Sequence, residues 1–406
     1  MFTPSAKIME RYADVLVNFA LGGGTGIKKG EVVWLRAPEA ARPLYAAMQR
    51  AILKAGGHVI PFYTPSADKS FSPRRDFFEM ASEEQINFFP DKFYRGLIDQ
   101  VDHMAAIMAD TSPYELRGVD PAKIMAQGKA MHPYMEWRDV KESRGKFSWT
   151  LALFGTEAMA REARMPLEEY WDQITRTCFL DEENPIARWQ EVYRELYAVR
   201  DRLNALDIES AHIVGDDVDL RIWLGERRQF IGGSGRNIPS FELFTSPDWR
   251  GTEGWIRFDQ PLYRYGNLIE GIRLEFAGGT VTRLSADKNE EVLRAMVETE
   301  NANKVGEFSL TDKRFSRISK FMAETLYDEN TAGVHGHGNT HIALGSAYRD
   351  CYRGDQASLT DEEMERLGFN QSSVHTDIVS TTPRTVVARL KDGSRKLIYE
   401  NGMFTV

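Results

Sequence analysis

Two cysteines, Cys178 and Cys351, are all that this chain of 406 residues contains. That scarcity excludes a disulfide framework and a thiolate zinc cluster, so any bound metal must be held by histidine, carboxylate and water. Long apolar runs are missing as well: no stretch approaches the ~20 residues that a membrane-spanning helix needs. The opening MFTPSAKIMERYADVLVNFAL scatters charge along its length and lacks the uninterrupted apolar core of a signal peptide. Nor is there an excess of positive charge. Sixty acidic side chains against 51 basic ones give a net charge of −9, which argues against nucleic acid or an anionic membrane as the main partner. The expectation is a cytoplasmic protein of a reducing compartment.

What is present is ordinary for a globular protein, at 42% hydrophobic and 27% charged residues, and long enough for two domains. Residues 7–21 carry apolar side chains at helical spacing and end at Gly22. EVVWLRAP, between Gly30 and Pro38, reads as a buried strand. EAARPLYAAMQRAILKAGG then reads as a helix and HVIPFY as a second strand, which makes one βαβ step and predicts a parallel sheet. From about residue 206 the texture changes to short alternating segments with Gly-type turns, such as RRQFIGG and IEGIRLEFAGGTVTRLSA. The expected fold class is α/β, α+β overall. An N-terminal α/β domain over 1–205 packs on a mixed, β-rich catalytic domain over 206–406.

Several motifs dissolve on inspection. GGGTG at 22–26 follows a helix and precedes a strand, whereas a phosphate-binding glycine loop follows a strand and opens a helix. GDDVDL at 215–220 lacks the spacing and terminal glutamate of a calcium loop and reads as an acidic turn. The histidines carry more. Only eight occur, and four of them, His335, His337, His341 and His375, fall within residues 335–375. In SSVHTDIVS a strand would project His375 and Asp377 from one face, an imidazole and a carboxylate suited to a divalent ion or to each other. In HIALGSAY, His341 and Tyr348 share a face if the segment is helical and oppose one another if it is a strand. Glu242 in NIPSFELFTSP and Glu307 in KVGEFSLTD are acids inside apolar runs, costly to bury unless paired, protonated or metal-bound.

Taken together, NIPSFELFTSP, KVGEFSLTD, LYDEN, THIALGSAY and SSVHTDIV resemble, in order and spacing, the signature blocks of the thermophilic metallo-aminopeptidases, the aminopeptidase T-like enzymes also called leucyl aminopeptidases. The likeness extends to YADVLVNFALG and the following KKGEVVWLRAPEAARPLYAAMQRAILKAGGHV, and so covers nearly the whole chain. It implies a site for two divalent metal ions (zinc, cobalt or manganese) held by Glu242, Glu307, His341, His375 and Asp377, with Glu307 bridging and Tyr348 beside it. Two departures stand out. Phe241 occupies a position where the family more often has an acidic or small residue, and TAGVHGHGNT lengthens the linker between LYDEN and His341. The extension adds His335 and His337, which match no family ligand and read as loop residues.

The resemblance implies hydrolysis of N-terminal residues, apolar ones preferred, from short peptides by a metal-activated water, in a homodimer. Glu307 and Tyr348 are the expected catalytic residues, Tyr348 as a donor to the developing oxyanion. Two rivals share the scaffold. A related branch resembles ring-cleaving dioxygenases with one Fe(II) on His341, His375 and Asp377, and a peptide- or metal-binding protein without catalysis would use the same ligands.

Overall fold

The computed structural model describes residues 2–406, which divide into two compact units. The first comprises residues 2–116, 130–194 and 233–240; the second comprises 117–129, 195–232 and 241–406.

The first unit is built on a five-stranded sheet. Its strand order is His58–Thr64, Val32–Pro38, His103–Met108, Ser148–Leu153 and Asn237–Ile238, and every pairing is parallel. The expected βαβ step is there. Val32–Pro38 leads through a short 3-10 turn into the helix Arg42–Lys54, which returns the chain to His58–Thr64. That helix buries Leu44, Ala47, Met48 and Ile52, spaced three and four apart as a single stripe. Below the sheet, Trp34, Leu97, Ile98, Val101, Met104, Tyr134, Phe147 and Trp149 form one apolar cluster. Burial on that scale, at about 25 cal/mol per Å² of apolar surface, is what holds a parallel sheet covered on its faces. The GGGTG segment ends the first helix, with Gly22, Gly23, Gly24 and Gly26 all at positive φ, and it precedes Val32–Pro38. It is a helix-to-strand connection, as its sequence position implied.

The second unit carries two larger antiparallel sheets. Eight strands run in the order Thr280–Ser285, Arg273–Ala277, Glu253–Arg257, Val218–Trp223, Ile208–Gly215, Thr385–Leu390, Arg395–Glu400 and Met403–Phe404. Val218–Trp223 alternates buried and exposed residues without a break, the pattern of a sheet with one covered face. The other sheet has four strands, labelled β1 (Glu242–Thr245), β2 (Val305–Thr311), β3 (Asn339–Gly345) and β4 (His375–Ser380). Their order is β4-β3-β2-β1, antiparallel throughout, and every residue of β1, β2 and β3 is buried. The fold is therefore mixed α/β, with a parallel sheet in the first unit and β-rich antiparallel sheets in the second. Among the described residues, no helix is long and apolar enough to cross a membrane. Both cysteines are buried free thiols.

Candidate metal centre

The register of β1–β4 decides which side chains meet. Thr311 pairs with Glu242 and with Asn339; two positions along, Ser309 pairs with Phe244 and with His341, and His341 with Val379. Two positions further, Glu307 pairs with Ala343 and Ala343 with Asp377; a final step of two reaches Gly345 opposite His375. Residues directly opposite in an antiparallel pair share a face, and so do residues two apart on one strand. Glu242, His341, Glu307, Asp377 and His375 therefore all project from one face of the sheet. A slip of one residue in any strand would send its ligand to the other side.

Two glycines fix the end of this register. A Cβ on Gly306 would stand 2.3 Å from the Ser346 carbonyl oxygen and 2.4 Å from that of Gly345. One on Gly345, at φ +105°, would stand 2.0 Å from the carbonyl oxygen of Val374. Each contact is with backbone, so the strands themselves would have to move. Gly306→Ala is expected to lower the free energy of unfolding by about 1–3 kcal/mol and to depress activity by displacing Glu307. Chemical denaturation read beside activity checks this; wild-type values for both would contradict it.

The side chains converge closely. His341 Nε2 lies 3.1 Å from Glu307 Oε1, 3.2 Å from Glu242 Oε2 and 3.9 Å from Asp377 Oδ1. His375 Nε2 lies 3.6 Å from Glu307 Oε2 and 3.4 Å from Asp377 Oδ1. Two groups of three ligand atoms result: Glu242, Glu307 and His341, and Glu307, His375 and Asp377. Glu307 belongs to both, turning one oxygen to each histidine. Around the cluster, the Ser309 hydroxyl donates to Glu242 Oε2 at 2.8 Å. His375 Nδ1 donates to the Ser346 carbonyl at 2.7 Å, which leaves its Nε2 lone pair for the centre.

Tyr348 lies beyond the end of β3, which stops at Gly345. Its ring centroid is 5.0 Å from that of His375 and 5.4 Å from that of Phe244, so it stands beside the cluster. HIALGSAY is thus a strand followed by a turn, and the helical alternative for it falls. His335 and His337, with rings 6.0 Å apart, occupy an exposed to half-exposed stretch and join neither ligand group.

One acid was missed from sequence. Glu329, in LYDEN, is buried, and the charges of Asp377, Glu242 and Glu307 all act on it. The signal that exposed Glu242 and Glu307, an acid inside an apolar run, is hidden here, because Asp328, Glu329 and Asn330 together read as a polar turn. Asp328 holds the local backbone instead, since its two oxygens accept the N–H groups of Met322 at 2.7 Å and Glu324 at 2.9 Å.

Burial and neighbouring charge pull the members of the cluster in different directions. Burial, reinforced by the neighbouring Glu307, pushes the Glu242 carboxyl up to about 7, and burial likewise raises Glu307 and, strongly, Glu329. Burial works against protonation of His341, but its hydrogen bond to Glu307 and the charges of Glu242 and Asp377 carry it up to about 9. His375 reaches about 9 in the same way, against burial, chiefly through Asp377. Asp377, which burial alone would raise, is held at about 2 by His375 and His341. Four carboxyl groups stand against two imidazoles, and without a cation the excess of acid is met by protons held on Glu242, Glu307 and Glu329. Divalent cations would displace protons from the ligands as they bind.

The donor set suits such ions. Two donors on one tetrahedral ion, at about 2.0–2.1 Å each, stand about 3.3 Å apart, and the contacts of His341 and His375 with their nearest carboxylates run from 3.1 to 3.6 Å. Mixed imidazole and carboxylate ligation fits zinc, cobalt or manganese.

Comparisons with known proteins give a consistent set of relatives for the chain. A family model described as thermophilic metalloprotease (M29) matches residues 5–404. Aminopeptidase T of Thermus thermophilus is 29% identical over 420 residues, spanning 98% of this chain and 99% of the relative. Aminopeptidase PepS of Streptococcus thermophilus is 27% identical over 419 residues, with 98% of each chain covered. The solved structure of wild-type AmpT from Thermus thermophilus superposes with a TM-score of 0.80 at 26% identity, covering 98% of this chain and 99% of that one.

Proposed function

This chain belongs to the thermophilic metalloprotease family M29, and from that premise we propose that it is a metal-dependent aminopeptidase whose centre holds two divalent ions. The observation that supports two ions rather than one is the pair of ligand groups joined by Glu307 alone. On this reading Glu242 and His341 would hold one ion and His375 and Asp377 the other, with Glu307 shared between the two ligand groups. A single-iron site on His341, His375 and Asp377 would leave Glu242 and Glu307 buried with no cation to answer them. The expected substrates are short peptides with apolar first residues, cleaved by a homodimer in the cytoplasm.

A pair of divalent ions supplies an acidified water, a polarised scissile carbonyl and compensation for charge on the attacking and leaving atoms. The chain's own residues do the rest. Ser309 fixes the rotamer of Glu242, and the Ser346 carbonyl fixes the tautomer of His375. The Tyr348 hydroxyl donates to the oxygen of the tetrahedral intermediate, a role that a neutral phenol beside His375 can fill. Glu329, buried with its charge coupled to those of Asp377, Glu242 and Glu307, is the further carboxylate that would take a proton from the attacking water and pass it to the departing amine.

The test compares peptides with free and acetylated N-termini, before and after thorough chelation. Cleavage of the free-amine peptide alone, lost on chelation and regained with zinc, cobalt or manganese, is expected. Cleavage that survives complete metal removal would sink the reading.

A further inference from the structure

A hairpin stands beside the Asp377 side of the centre and takes no part in holding it. Leu262–Arg264 pairs antiparallel with Asn267–Ile269, and the connecting Tyr265 (φ 50°) and Gly266 (φ 72°) are both left-handed, as a tight two-residue hairpin turn requires. Pro261, Leu262 and Tyr263 line a pocket whose other walls include Asp377, Val379 and Glu324. The next residue along, Arg264, lays its guanidinium over the ring of Tyr265, 4.8 Å from the centroid. Its Nε is buried with no hydrogen-bond partner. A buried donor without an acceptor carries its full desolvation penalty, so the fold maintains this one at a cost. A purely structural arginine whose charge acts on a centre rich in carboxylates would be expected to pair with one of them. Arg264 instead forms no salt bridge among the described residues, although its charge reaches Asp377.

We propose that Arg264 receives the free C-terminal carboxylate of short peptide substrates, so that the enzyme selects di- and tripeptides by their far end. This rests on the aminopeptidase reading of the same site. The chemistry matches: a guanidinium is a planar fork of donors shaped for a carboxylate, and Tyr265 holds its plane. The length matches too. Consecutive Cα atoms are about 3.8 Å apart, so in a dipeptide the carboxylate lies only one residue beyond the scissile bond, and Arg264 is one residue along the chain from the pocket-lining Tyr263. The negative centre would repel that carboxylate, and Arg264 supplies the compensating charge.

The experiment measures kcat/KM for Leu-Leu and for Leu-Leu amide with the wild-type enzyme, Arg264→Gln and Arg264→Lys, with bound metal measured in each. Wild type is expected to prefer the free acid. In Arg264→Gln the acid-to-amide ratio falls about ten- to a hundredfold, mainly through KM, with metal content intact, and Arg264→Lys recovers part of it. Equal losses on both substrates, or an unchanged ratio, would overturn the proposal while leaving the aminopeptidase reading standing. Wild-type protein that cleaves neither substrate would overturn both.

Discussion

Glu307→Gln is expected to lose about a thousandfold or more in kcat/KM and to retain fewer than two ions per chain. Glutamine keeps the volume of the side chain but removes its charge and turns one acceptor into a donor, so it cannot offer an oxygen to each metal group. Of the proposed ligands, only Glu307 belongs to both groups, and losing it impairs both ions at once. An ion that polarises substrate and water contributes several kcal/mol to the transition state, and about 4 kcal/mol is a thousandfold. Stability separates loss of a ligand from general damage. Burial raises the pKa of Glu307, so its ionised form is disfavoured in the metal-free fold; neutralising it relieves repulsion from Asp377, and the glutamine carbonyl can still accept from His341 Nε2. Metal-free Glu307→Gln should therefore melt no lower than metal-free wild type near neutral pH, whereas metal should raise the melting temperature of wild type more. A variant that melts well below wild type without metal would mark Glu307 as structural.

Tyr348→Phe is the second large effect expected. The ring stays, and with it the packing against His375 and Phe244, while only the hydroxyl goes. Removing one donor to a developing oxyanion costs about 10²–10³ in kcat. Metal content should be unchanged. Turnover close to wild type would remove Tyr348 from the chemistry, and parallel loss of metal and turnover would make it a support for His375.

The sequence made some of this legible and hid the rest for identifiable reasons. The first βαβ step could be read locally, because Gly30 and Pro38 bound an apolar run and a helical stripe follows it. The acids Glu242 and Glu307 stood out against apolar neighbours, and His375 with Asp377 fits the two-residue period of β4. Their assembly was not legible, since a common face depends on the pairing of four strands far apart in the chain. No local pattern encodes a register of that kind. Tyr348 shows a finer limit. Its spacing from His341 suited a helix or a strand, and neither regular element describes it. Gly345, at positive φ, ends β3, and Tyr348 lies in the turn beyond, beside His375. Glu329 was lost in a polar triplet, and only burial separates it from a surface turn. Of the three histidines around residue 341, only His341 belongs to a ligand group, and His335 and His337 lie in a loop, as their sequence implied.

The most direct test is a metal titration of chelator-stripped protein, following bound metal by elemental analysis and hydrolysis of a leucyl substrate in the same samples. Binding should saturate at two ions per chain, with full turnover appearing only as the second is filled. Saturation at one ion, or full turnover with none, would contradict a centre built on two ligand groups around Glu307.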